Sequence, residues 1–104
     1  MQPRTHTSPE VPMPDLHTLT TPGLTTFSGQ GERALFRVNA GVPISEALAH
    51  VSDLLHLAKR LAEDATQERN TGRHAWASHY LQEMSKAVVD DVLVALNAWD
   101  GRPE

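Results

Sequence analysis

Cysteine is absent from the sequence. This excludes a disulfide framework, a thiolate metal site and a thiol nucleophile, and it fits a reducing compartment. An excess of positive charge is also missing. Nine Lys and Arg stand against 13 Asp and Glu, for a formal charge of −4. No cationic stripe is available to displace counterions from a nucleic acid or to hold an anionic lipid surface. No apolar run approaches the roughly 18 residues a membrane span needs, and Met1 to His6 lacks the apolar stretch of a secretory leader. The expectation is a cytoplasmic protein whose partners include neither nucleic acid nor membrane. Aromatic residues make up only 5% of the chain, and 104 residues suffice for one small domain.

What is present divides into two parts. Residues 1–31 hold five of the seven prolines (Pro3, Pro9, Pro12, Pro14 and Pro22) among many threonines. Each proline removes a backbone donor, and no apolar period runs through the segment. It reads as a disordered Thr/Pro-rich arm, because it offers too little apolar surface to offset its ordering entropy. Residues 32–104 read as the folded domain. Ala34-Leu35-Phe36-Arg37-Val38 is a short strand or extended candidate between glycine-containing turn signals, with no second run to pair with.

Two helices follow. The first is expected from Pro43, in the first helical position, to Arg69. Ile44, Val51, Ala58 and Ala65 recur every seven residues, with Ala47, Leu54 and Leu61 as a companion row and Leu48, Leu55 and Ala62 widening it. Asn70-Thr71-Gly72 reads as the stop. The second is expected from His74 to Trp99, with Ala77, Leu81, Met84, Val88, Val92 and Trp99 on one side, before Gly101 and Pro103. The short connection makes an antiparallel hairpin of helices. The fold class is therefore mainly all-α: a two-helix hairpin with a short N-terminal extended or β segment.

Such a hairpin cannot hide all its apolar side chains. Leu57, Val89, Leu93, Leu96 and Trp99 are left over, and a two-helix unit on its own is marginal. Closure by a second copy into a four-helix bundle is expected, with Val51, Leu54, Leu55, Leu61, Leu81, Met84 and Val88 packing the dimer.

No catalytic or cofactor chemistry is expected. Of the six histidines, His50 and His56 are six residues apart and His74 and His79 five. Neither spacing matches the four-residue separation of a helical zinc pair. Asp90 and Asp91 diverge by about 100° on a helix and read as a solvated face, with Asp90 paired to Lys86. Gly29-Gln30-Gly31 lacks the rest of a phosphate loop. Trp76, Tyr80 and Trp99 read as packing anchors.

Two stretches carry a family resemblance. One runs through Leu35-Phe36-Arg37-Val38, Gly41-Val42-Pro43, Glu46-Ala47-Leu48 and Leu54-Leu55. The other, more specific, is the unbroken block from Trp76 to Val92. Together they resemble, over about residues 33–96, a family of short pseudomonad proteins known only as a domain of unknown function. Within it, the chain length and the Thr/Pro-rich start resemble a quorum-sensing antiactivator. That resemblance implies a protein that binds an acyl-homoserine-lactone receptor of the LasR type and blocks its activity. Phe36, Leu57, Leu93, Leu96 and Trp99 are the candidate contact residues for that partner.

Overall fold

The structure, a computed structural model, describes residues 14–29, 33–66 and 72–100. Helix α1 spans Ile44–Ala65 and helix α2 spans Gly72–Ala98. At about 1.5 Å per residue they are roughly 33 and 40 Å long. Pro43 sits just outside α1, with φ −54° and ψ 138°, and no side chain caps the helix. Two of the free N–H groups of its first turn are met from elsewhere in the chain. Ile44 N–H donates to the Leu19 carbonyl at 2.8 Å, and Ser45 N–H donates to the Leu16 carbonyl at 2.9 Å. These are donors that every helix start leaves without an intrahelical acceptor. At the other end Thr66 caps α1, its hydroxyl donating to the Glu63 carbonyl at 2.7 Å. The helix thus stops short of Arg69. Gly72 opens α2 instead of ending α1, and Asn70 and Thr71 lie outside the described residues.

The helices run antiparallel. Ile44 and Ala47 at the start of α1 form one buried cluster with Val92 and Ala95 near the end of α2. Farther along the pair, the buried Ser78 hydroxyl donates to the Ala58 carbonyl at 2.9 Å. The seam is made largely of small residues: Ala47, Ala58, Ser78, Ser85 and Ala95 are all buried, beside Ile44, Val51 and Val92. Small side chains let the helix axes approach, so there is little room for leucine between them. The leucines therefore lie on the flanks, partly in water.

The segment ahead of the helices corrects two expectations. Residues 14–29 are not a disordered arm; they form a strap laid across the helix pair. Residues 1–13, the rest of that expected arm, lie outside the described residues, as do 30–32. The strap begins with a turn in which the Asp15 carbonyl accepts from Thr18 and Leu19 N–H, while its carboxylate accepts from His17 N–H at 2.9 Å. Leu16 and Leu19 then pack on the Ile44–Val92 cluster. Strand β1, Thr26–Phe27, pairs antiparallel with β2, Phe36–Arg37, in the register Thr26 with Arg37 and Phe27 with Phe36. The strand candidate thus has its partner within the chain, in a run too short for alternation to reveal. Phe27 and Phe36 stack across the hairpin with ring centroids 5.3 Å apart.

Two buried polar side chains hold the strap. Thr21 is buried; its hydroxyl donates to the Asn39 carbonyl at 2.7 Å and accepts from Val42 N–H at 3.1 Å. Asp91 is fully buried on α2 and accepts three backbone N–H groups in a row: Gly23 at 2.8 Å through Oδ2, and Leu24 at 2.8 Å and Thr25 at 2.9 Å through Oδ1. The solvated-face reading therefore holds for Asp90, which meets Lys86 at 2.8 Å, and fails for Asp91. The turn that presents these donors needs glycine at 23. Its φ is +75°, and a Cβ there would come within 2.8 Å of the Ala40 Cβ.

Candidate functional site

The close seam leaves two apolar flanks. They are distinct because consecutive residues point about 100° apart on a helix. Leu55 of α1 lines a shallow depression with Ser85, Lys86 and Val89 of α2, edged by His79, Gln82, Glu83 and Asp90. Leu48, seven residues before Leu55, continues this flank on α1, and Leu93, four residues after Val89, continues it on α2. Leu48, Leu55 and Leu93 are 38%, 46% and 48% exposed. Together with half-buried Val89 they form a row of aliphatic side chains that nothing in the described chain covers.

The other flank lies beneath the hairpin. Leu54 of α1 and Met84 and Val88 of α2 line a cavity of about 240 Å³ with Phe27, Val38 and Val42 from the preceding segment. Arg37, Asn39 and His50 also border it. Beyond the hairpin Leu57, three residues past Leu54, is again more than half exposed.

The five candidate partner-contact residues do not share one surface. Leu93 lies on the open seam flank, whereas Leu57 lies on the hairpin side. Phe36 is exposed on β2, where it stacks on Phe27. Leu96 packs against the Ile44–Val92 cluster. Trp99 is half-buried just past the end of α2, its N–H reaching the Leu96 carbonyl at 3.4 Å. The candidate dimer-packing set divides likewise. Val51 is buried in the chain's own seam, and Leu54, Met84 and Val88 line the cavity under the hairpin. Leu61 and Leu81 are half-buried, and Leu55 alone of the seven is exposed.

Trp76 and Tyr80 are not packing anchors. They are 61% and 51% exposed and lie one turn apart on α2 with ring centroids 5.8 Å apart. His79 sits edge-on to both rings at 5.7 Å. Asp91 is the residue whose role sequence reasoning missed outright. Its only local cue was a carboxylate flanked by apolar residues on the inner side of α2.

Among the described residues, no group of three or more His, Asp or Glu is placed to hold a metal ion. No helix among them is long and apolar enough to cross a membrane. No curated protein and no solved structure matches the sequence. A family described as a protein of unknown function (DUF3077) matches residues 21–95. That span starts inside the strap and ends in the last turns of α2, so it takes in the Asp91 latch, the hairpin and both helices. The chain belongs to the DUF3077 family.

Proposed function

We propose that this chain acts by binding another protein, through the flank that carries Leu48, Leu55, Val89 and Leu93. The observation behind this reading is the open aliphatic row beside a seam of small residues. Fully covering a leucine is worth about 1.5–3 kcal/mol. Three leucines already near half cover would each contribute about 1 kcal/mol more on contact. A row with i, i+7 spacing on one helix and i, i+4 on the other suits a helical partner laid along it.

The resemblance to the quorum-sensing antiactivator QslA gives the reading its finer form. The chain would be a negative regulator of a transcription factor of the LasR type. Regulators of that kind bind paired DNA half-sites as dimers, so an inhibitor need only occupy the helices through which they pair or dock. It need not touch DNA, which accords with a net charge of −4. Inhibition would grow as free inhibitor exceeds its dissociation constant.

The same row favours a second reading, in which two copies bury it against each other as a four-helix bundle. In that case the chain is a self-assembling helical protein without a receptor. Both readings are tested with the double variant Leu55→Glu, Leu93→Glu. Both positions are exposed, so helical circular dichroism should match wild type. The expected result is loss of the complex with a LasR-type receptor on size-exclusion chromatography. Wild-type receptor binding by the variant rejects this surface. Loss of self-association together with undiminished receptor binding assigns the row to the dimer.

A further inference from the structure

We propose that the cavity between the β1–β2 hairpin and the helix pair is a binding site for a small amphipathic carboxylate, of the medium-chain acyl class. The proposal is independent of the partner surface, which lies on the opposite flank.

The walls set the tail. Phe27, Val38, Val42, Leu54, Met84 and Val88 give the cavity an apolar interior. Its volume of about 240 Å³ falls just under the roughly 300–1,000 Å³ of drug-sized sites. That accommodates a medium alkyl chain and excludes a long one. An interior this apolar offers nothing to a sugar, whose polar groups would lose water without gaining partners, and adds nothing to the binding of a bare inorganic anion.

The rim sets the head. Arg37 borders the cavity and makes no ion pair with any described residue. His50 and Asn39 border it too, and no aspartate or glutamate is among the lining residues. The Thr21 hydroxyl is already committed to the Asn39 carbonyl and the Val42 N–H. The polar side chains left among the lining residues are thus those of Arg37, Asn39 and His50. A carboxylate matches the guanidinium fork with two parallel hydrogen bonds. A cation would meet Arg37 as a like charge. This makes the cavity rim a cationic spot on an acidic protein.

The roof of the site is the hairpin, which Asp91 ties to α2 through the three residues just before β1. A bound acyl chain would touch Phe27 and Val38 above and Leu54 and Met84 below, and so join the two layers.

The test is titration of the full chain with sodium octanoate, followed by calorimetry and by amide shifts in nitrogen-labelled protein. Octanol and acetate serve as probes of tail and head alone. One-to-one saturable octanoate binding is expected, with shifts centred on Val38, His50, Leu54 and Met84. Octanol and acetate should each bind at least about tenfold more weakly. Arg37→Gln, an exchange at an exposed strand position, should weaken octanoate about tenfold and leave octanol unchanged. Met84→Phe should weaken octanoate by filling the space. Lack of saturation up to about 10 mM octanoate, equal affinity for octanoate and octanol, or wild-type octanoate affinity in Arg37→Gln would each overturn the proposal.

Discussion

Replacing Asp91 with alanine tests the structural reasoning most directly. The wild-type carboxylate is fully buried and accepts three backbone N–H groups at 2.8, 2.8 and 2.9 Å. A hydrogen bond to a charged group contributes about 1.5–3 kcal/mol, but three bonds to one carboxylate are not additive. The Gly23 bond is buried, whereas those of Leu24 and Thr25 are only partly so, and water can replace part of the latter two. Alanine is also the better helix former, by about 0.5–0.7 kcal/mol. The net expected loss is about 3 kcal/mol, a large share of the roughly 5–15 kcal/mol that holds a domain together. Asp91→Asn should lose less, about 2 kcal/mol, because its oxygen can still accept from Leu24 and Thr25 while its amide opposes the Gly23 donor. Asp90→Ala is the internal control. It removes an exposed pair with Lys86 and gains helix propensity, so stability should move by no more than about 0.5 kcal/mol. Urea unfolding monitored by circular dichroism gives the ranking, and hydrogen exchange at the Gly23, Leu24 and Thr25 amides shows whether the strap has come loose. If Asp91→Ala and Asp90→Ala unfold at the same urea concentration, or those three amides exchange as slowly as before, the latch does not hold the strap.

Gly23→Ala should cost about 1–3 kcal/mol in thermal or urea melts, since the φ of +75° and the 2.8 Å approach to Ala40 act against the same methyl group. A stability within error of wild type would mean that the turn relaxes freely. Ser78→Ala should cost about 1 kcal/mol. It removes the hydroxyl that donates to the Ala58 carbonyl and accepts from Gln82, and an unchanged urea midpoint would show that this interhelical bond contributes nothing net.

The helices were legible because their signal is local. Ile44, Val51 and Ala58 recur at a helical period, and all three are buried in the seam. The strap was not legible, because its stabilisation is non-local. Thr21 and Gly23 belong to a Thr/Pro-rich run that any compositional reading assigns to disorder. Yet they are placed by a carbonyl at 39, a donor at 42 and a carboxylate at 91. Periodicity carries no trace of such pairings. β1 went unseen for a related reason: two residues cannot display alternation. On the candidate surfaces, the surplus expected from the sequence included exposed Leu57 and Leu93 but also Leu96, which packs on the Ile44–Val92 cluster, and it left out Leu48; the sorting between flanks was not legible. That sorting depends on the seam being lined with alanine and serine, and side-chain volume along a helix pair becomes meaningful only once the facing residues are known. Leu55 and Leu54 are adjacent in sequence and end on opposite flanks for this reason.

The distance along the chain between Gly23 and its acceptor has a bearing on how the molecule assembles. The amide at 23 is synthesised early, and the carboxylate it needs comes 68 residues later. During translation the strap can meet β2 and the start of α1 as soon as these emerge, through Leu16, Leu19 and Thr21, but its tie to α2 waits for Asp91. The two helices can meet through a short connection at small entropic cost, whereas tying the strap to α2 closes a loop of 68 residues. The tie between the strap and α2 is thus the latest of the strap's contacts to become available. Until that tie closes, the Asp91 carboxylate on α2 is open to any other run of free backbone amides.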